Sequence, residues 1–222
     1  MSDNVWILAS NSPRRRELLG LFQNPYSIQP ADINEDLQSA EEPWDYVTRL
    51  AATKAARVAE FNPQAALIIA ADTTVADGVE ILGKPLDAVD ASRMLVQLRC
   101  STHQVYTAVS LIQPHENHQL TTLCRTNVPM RDYSDDEITD YVNSADPFDK
   151  AGAYAIQNSQ FHPVENFSGC FASVMGLPLC HLERSLRNMN LVPHLDIAET
   201  CQQHLNYDCP IFQAVLEGAE IG

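Results

Sequence analysis

Seven consecutive residues, Ser10-Asn11-Ser12-Pro13-Arg14-Arg15-Arg16, gather hydroxyls, a turn and three guanidinium groups directly after the apolar run at 5–9. The pattern predicts a short strand, a tight loop and then a helix over about 14–22, opened by Pro13. Loop N–H groups and a helix N-terminus attract an anion, and arginine adds permanently charged, bidentate hydrogen bonds, so the chemistry on offer is phosphate binding. The competing reading is an exposed basic first turn, but cations at that end of a helix oppose its dipole and need another reason to be there.

Asp72 is the second candidate. It follows the apolar run 67–71, which reads as a buried strand ending at Asp72-Thr73-Thr74, and strand ends are where open α/β sheets collect ligand-binding groups. A carboxylate placed there can orient water or hold Mg²⁺, a cation suited to phosphate chemistry because it keeps oxygen ligands and neutralises charge on phosphoryl oxygens. A strand-end aspartate that merely caps a turn is the plain alternative. Lys84, in Gly83-Lys84-Pro85, is the third: an ammonium in a tight loop can serve as a point charge on phosphate, or can simply be a surface lysine. Glu35, in the polar stretch 31–38, and Lys54, on a helical stretch, look like ordinary solvated charges when taken singly.

These residues need elements to hold them. Tyr46, Val47, Leu50, Ala51 and Val58 repeat at helical spacing behind Pro43. Asp77-Gly78 between short apolar segments signals a hairpin, and Asp87 caps a helix carrying Ala91, Met94, Leu95 and Leu98. Residues 104–112 are β-rich, a turn follows near 114–118, and a second strand-like stretch runs to Met130. Ser134-Asp135-Asp136-Glu137 is a capping box whose acidic residues suit a first turn, and Gly176-Leu177-Pro178 opens a last core helix through Leu182 and Leu186. Strands alternating with helices make the fold class α/β. From about residue 190 the chain reads as one or two short appended helices, giving a domain over 1–190 and an extension over 191–222.

Composition narrows the partners. With 14 Lys plus Arg against 29 Asp plus Glu, the net charge of −15 disfavours nucleic acid, although a local basic knot can still hold a small anion. The six cysteines, Cys100, Cys124, Cys170, Cys180, Cys201 and Cys209, are scattered rather than framed as in a small secreted protein, and read as reduced thiols. Met-Ser-Asp-Asn runs straight into the first strand without a leader pattern, and no apolar run reaches spanning length, so a cytoplasmic protein without a membrane partner is expected. Neither Gly-x4-Gly-Lys-Ser/Thr nor Gly-x-Gly-x-x-Gly occurs, which removes the main support for kinase-like and Rossmann redox readings. His115-Glu116-Asn117-His118 and Cys201-Gln202-Gln203-His204 with Cys209 lack a clean four-ligand zinc pattern.

Five motifs then fall in order: Leu8-Ala9-Ser10-x-Ser12-Pro13-Arg14-Arg15-x-Glu17-Leu18-Leu19, Ala71-Asp72-Thr73, Gly83-Lys84-Pro85, Asp149-Lys150-Ala151-Gly152-Ala153-Tyr154-x-Ile156-Gln157, and Val174-x-Gly176-Leu177-Pro178-Leu179. Together they resemble the Maf family of nucleoside triphosphate pyrophosphatases, with Arg49-Leu50-Ala51-x-x-Lys54-Ala55 and His103-x-Val105-x-Thr107 between them, over about residues 5–190. The resemblance implies a Maf/inosine-triphosphatase-like α/β fold, a mixed sheet with flanking helices and a cleft between two lobes, homodimers in many members, and hydrolysis of nucleoside triphosphates between the α- and β-phosphates with a divalent cation, Mg²⁺ or Mn²⁺. Carried over by position, Asp72 matches the catalytic base and a metal ligand, with Glu35 matching a second metal carboxylate. Arg14, Arg15, Lys54 and Lys84 match phosphate-contacting cations, and Ser12 joins their loop. Arg15, Thr73 and Gln157 match positions of base selection, in the manner of the subfamily acting on dTTP and UTP. The alternatives are a 7-methyl-GTP pyrophosphatase, a hydrolase releasing orthophosphate, and a nucleotide-binding regulator of septum formation. The chain departs from the family at Leu98-Arg99-Cys100 (typically Leu-Ser-Gly), at Asn158-Ser159-Gln160 (typically glycine-rich) and at Gly169-Cys170-Phe171 (typically Gly-Ser-Tyr). Those glycine losses bear on the loops around Gln157.

Overall fold

A computed structural model describes residues 5–222; the first four residues, which open the expected 1–190 domain and contain the segment inspected for a leader, lie outside the described residues. Among these described residues six strands form one mixed sheet: β1 (Trp6–Leu8), β2 (Tyr26–Ile28), β3 (Leu67–Asp77), β4 (Glu80–Leu82), β5 (Thr102–Gln113) and β6 (His118–Pro129). Their order is β2-β1-β3-β5-β6, with β4 pairing β3 off this path. β1 runs parallel to β2 and β3, while β4 and β5 run antiparallel to β3 and β6 antiparallel to β5.

Among the described residues eight α-helices flank the sheet: α1 (Pro13–Gly20), α2 (Pro43–Phe61), α3 (Ala88–Leu98), α4 (Asp135–Asn143), α5 (Phe171–Met175), α6 (Leu179–Asn188), α7 (Ile197–Leu205) and α8 (Phe212–Leu216). Among the described residues no helix is long and apolar enough to cross a membrane.

The two faces of β3 follow from its period of two. Leu67, Ile69 and Ala71 point into a core shared with Leu18 and Leu19 of α1 and with Leu179, Leu182 and Leu186 of α6. Ile68 and Ala70 point the other way, onto Ala55 and Val58 of α2, and Ala76 further along meets Val47 and Ala51 of the same helix. A further core lies towards the far end of the sheet, where Val75 and Val105 meet α3, α4 and Tyr154. Two lobes result.

One edge of β3 explains where a cleft can form. β1 pairs with β3 only as far as Leu8 opposite Ile69, and β4 begins pairing only at Val75 opposite Leu82. The intervening stretch of β3 has no strand beside it on that edge. The loop leaving β1 opens there, and so does the gap between the lobes.

Local signals explain most elements. The Ser12 hydroxyl caps α1 by accepting from Arg15 N–H, with Pro13 in the first turn, Asp87 caps α3, and Ser134 with Glu137 forms the full capping box of α4. Gly78 takes φ +63° in the β3–β4 turn, which a side chain would resist. Three departures from expectation are physical. α1 stops at Gly20 rather than running to 22. β3 does not end at Asp72-Thr73-Thr74 but runs on to Asp77: those three residues remain paired, opposite Ala108, Thr107 and Tyr106 of β5. Threonine suits a strand as well as aliphatic residues do, so the end of the apolar run marks a change of environment and not the end of pairing. Finally, Cys100, where the family typically has glycine, keeps the left-handed backbone, at φ +56°. The glycine-poor loop after Gln157 is pinned instead by the Asn158 carboxamide, whose Oδ1 accepts from Gln160 and Phe161 N–H.

The segment after 190 packs onto the core. Ile197 is buried within the α1/α6 core, Arg184 of α6 donates to the carbonyls of Val215 and Ala219, and His204 lies 2.7 Å from Glu17 of α1.

Candidate active site

The gap beside β3 is a cleft of about 640 Å³ that gathers Ser12, Arg14, Arg15, Glu35, Lys54, Asp72, Thr73, Lys84 and Gln157, whereas Arg16, the third guanidinium of the basic run, is exposed and outside its lining. Five cations and three carboxylates line it, so it is locally positive inside a chain of net charge −15.

On the α2 side, Asp72 is 7% exposed and Lys54 reaches it across the sheet face, with Nζ donating to Oδ1 at 2.6 Å. The same ammonium lies 2.8 Å from Glu35 Oε1, so one cation bridges two carboxylates. Burial raises the Asp72 carboxyl above its ordinary pKa, with Lys54 and Arg15 pulling the other way. A carboxylate raised in this manner and open to a cleft is suited to accepting a proton from water.

Arg15 occupies the opposite side. Its Nε donates to the Gly176 carbonyl at 3.0 Å, Nη1 to Ser10 Oγ at 3.2 Å and Nη2 to Thr73 Oγ1 at 3.2 Å. Thr107 extends the network, its hydroxyl lying 3.0 Å from that of Thr73 and donating to the Ser173 carbonyl at 2.9 Å. Gly176 holds φ +110°, and a β-carbon there would come within 3.3 Å of both Arg15 Nε and Thr73 Oγ1. The cations at the start of α1, unfavourable to the helix dipole, thus have the second reason they require: Arg15 is fixed by this network, and Arg14 pairs with Asp149 at 3.2 Å.

Lys84 is exposed on the loop after β4, and that loop is tied to the opposite wall where Gly152 N–H donates to the Gly83 carbonyl at 3.1 Å. Gln157 is exposed at the rim.

Sequence reasoning did not single out Tyr46, Asp149, Lys150 or Tyr154 as site residues, yet all four line the cleft. Lys150 is 9% exposed, and its Nζ is held by Asp149 and by the carbonyl and carboxylate of Asp146. Their signal was the motif that begins at Asp149, where spacing alone gives no hint that the charges face a cavity. Tyr46 had no signal beyond its place on an amphipathic helix; it donates to the Glu35 carbonyl at 2.9 Å and steadies the segment bearing that carboxylate.

Comparison with known proteins agrees with this arrangement. A family model described as Maf-like protein matches residues 5–189. The chain is 43% identical over 187 residues to a protein named dTTP/UTP pyrophosphatase from Geobacter sp. (strain M21), an alignment covering 84% of this chain and 96% of the relative. It is 47% identical over 173 residues to one of the same name from Myxococcus xanthus (strain DK1622), covering 78% and 86%. A third so named, from Hahella chejuensis (strain KCTC 2396), is 44% identical over 176 residues, covering 78% and 87%. The five ordered motifs, the cleft that unites them and a match over nearly the whole core lead to one assignment: the chain belongs to the Maf-like protein family.

Proposed function

We propose that the protein is a nucleoside triphosphate pyrophosphatase that hydrolyses dTTP and UTP to monophosphate and pyrophosphate, a house-cleaning activity on the nucleotide pool. The observation that carries this reading is the buried Asp72, ionisable and flanked by Lys54, in a cleft with a surplus of positive charge. The names of the relatives supply the substrates.

In this reading Arg14, Arg15, Lys54 and Lys84 hold the triphosphate, with Ser12 in the same loop. Asp72 orients a water molecule at the α-phosphorus and accepts its proton as the new oxygen–phosphorus bond forms. The bond from the α-phosphorus to the bridging oxygen breaks, and pyrophosphate leaves with the displaced electron pair, its charge stabilised by the cations. Arg15, Thr73 and Gln157 select the base.

Mg²⁺ or Mn²⁺ fits the donor chemistry. Asp72 and Glu35, whose carboxylates converge on Lys54 Nζ, would hold it, since Mg²⁺ typically takes one or two carboxylates and completes its shell with phosphate oxygens and water. Such a cation supplies charge neutralisation on the phosphoryl oxygens.

The test is turnover of dTTP, UTP, CTP, 7-methyl-GTP and the purine triphosphates, with and without Mg²⁺, with pyrophosphate and orthophosphate assayed separately. Metal-dependent pyrophosphate from dTTP and UTP is expected. Orthophosphate as the product, turnover of 7-methyl-GTP alone, or binding without turnover would each replace this reading with one of its rivals.

A further inference from the structure

Two of the three carboxylates in the cleft are tied to Lys54, and the third is held differently. Asp149 has 59% of its side chain exposed, and it joins two cations at once: Oδ2 lies 3.2 Å from Arg14 Nη1, and Oδ1 pairs with Lys150 Nζ. We propose that Asp149 is a positioning residue, a resident counter-anion that holds Arg14 and Lys150 in place while the cleft is free of phosphate. It gives way to the pyrophosphate portion of the substrate and reclaims Arg14 as pyrophosphate departs. This rests on the pyrophosphatase reading above.

Three features carry it. The first is competition: the Arg14 Nη1 donor is turned towards Asp149, so a phosphate oxygen that takes that donor must displace a carboxylate of like charge. The second is freedom to move. An exposed carboxylate can swing into water at little cost, since exposed ion pairs are weak, whereas Asp72, with a side chain 9% exposed, has no such exit. The third is what stays behind. The Lys150 side chain is only 10% exposed, and an ammonium that buried cannot be stranded cheaply, but Lys150 Nζ keeps the Asp146 carbonyl at 2.6 Å and Asp146 Oδ1 at 2.9 Å when Asp149 leaves. Asp149 can therefore be exchanged without leaving a buried charge bare; Glu35, 55% exposed, shares that freedom on the Lys54 side, and Asp149 is the carboxylate that does so beside Arg14.

An internal competitor lowers the affinity of every anion that needs Arg14, product included, by the fraction of time the cation is engaged. That favours release of a highly charged product. Asp149→Asn removes the charge and keeps the shape.

The experiment measures binding of pyrophosphate, with Mg²⁺ in excess, by titration calorimetry to the wild type, Asp149→Asn and Asp149→Glu, alongside KM and kcat for dTTP. The expected result is a pyrophosphate dissociation constant about threefold lower in Asp149→Asn, a lower KM for dTTP, and near wild-type values restored by the glutamate. Unchanged or weaker pyrophosphate binding by folded Asp149→Asn overturns the proposal, because a purely structural pair would loosen Arg14 and cost affinity. A wild-type crystal structure with pyrophosphate reads the same point without a substitution: the carboxylate withdrawn from Arg14 supports the exchange, and a retained pair beside bound pyrophosphate refutes it. Failure of the wild type to release pyrophosphate from dTTP in the kinetic arm would instead sink the pyrophosphatase reading on which the proposal rests.

Discussion

Asp72 and Thr73 are neighbours on β3 and serve opposite faces of the sheet: Asp72 takes the ammonium of Lys54 from α2, and Thr73 accepts from the guanidinium of Arg15 on α1. Successive side chains on a strand alternate, so the proposed base and the proposed base-selecting group cannot share a face. They share a cleft because the edge of β3 between β1 and β4 is open, giving access to both faces from one side.

That separation predicts separable defects. Asp72→Asn should fold and lose turnover by about 10²–10⁴-fold, the usual contribution of a positioned general base. The wild-type pH profile provides the companion test. Burial raises the Asp72 pKa, and the ionised form is the one that accepts a proton, so activity is expected to fall as pH drops through a value above the ordinary ~3.9 for aspartate. An Asp72→Asn protein with full turnover removes Asp72 from the mechanism.

Arg15→Lys keeps a charge and loses the fork. Three donors now reach Gly176, Ser10 and Thr73 in fixed directions, and an ammonium on a flexible stem cannot reproduce them. With hydrogen bonds to charged groups worth about 1.5–3 kcal/mol each, losing one should lower kcat/KM for dTTP by roughly 10–100-fold and blunt discrimination between bases. Steady-state kinetics on dTTP and CTP would show it; a variant with wild-type kcat/KM and selectivity would count against Arg15 as a specificity residue.

His103 is fully buried under the cleft wall, where its Nε2 and the Tyr154 hydroxyl share a hydrogen bond at 2.8 Å, and burial lowers its pKa to about 4. The unfolded chain titrates near 6.5, so the unfolded state binds the proton more tightly. Stability from this group is complete above pH 6.5 and is lost as pH falls from there to about 4, by roughly 3 kcal/mol in all. Urea melts across that window should show a slope that flattens in His103→Gln. An unchanged slope would mean that His103 is not kept neutral.

Cys100 holds φ +56°, where a β-carbon costs roughly 1–2 kcal/mol and glycine costs less. Glycine gives part of that back through the greater freedom it loses on folding, so Cys100→Gly should stabilise the fold by up to about 1 kcal/mol. A denaturant midpoint that stays put or falls would place a compensating contact at the thiol.

The sequence by itself determined what depends on neighbours along the chain. The Ser12 cap and Pro13, the Asp77-Gly78 turn, the Asp87 cap and the Ser134–Glu137 capping box are local hydrogen-bonding and backbone effects, readable within a few residues, and each sits where it was expected. The ordered motifs likewise named Ser12, Arg14, Arg15, Asp72, Thr73, Lys84 and Gln157, which now line one cleft, with Lys54 in the block between them and Glu35 carried over by position alone. Tertiary structure decided what depends on residues far apart. Whether β3 ends at Asp72 was settled by pairing with β5, since the pleat continues for as long as a partner strand continues. Why Arg14 and Arg15 tolerate the start of a helix was settled by Asp149 and Gly176, which are 135 and 161 residues away from them. That Lys54 and Asp72 form a buried pair, and that Asp149 and Lys150 face a cavity, are facts about space that no spacing along the chain encodes: charge and burial act through distance, and only the fold sets the distances.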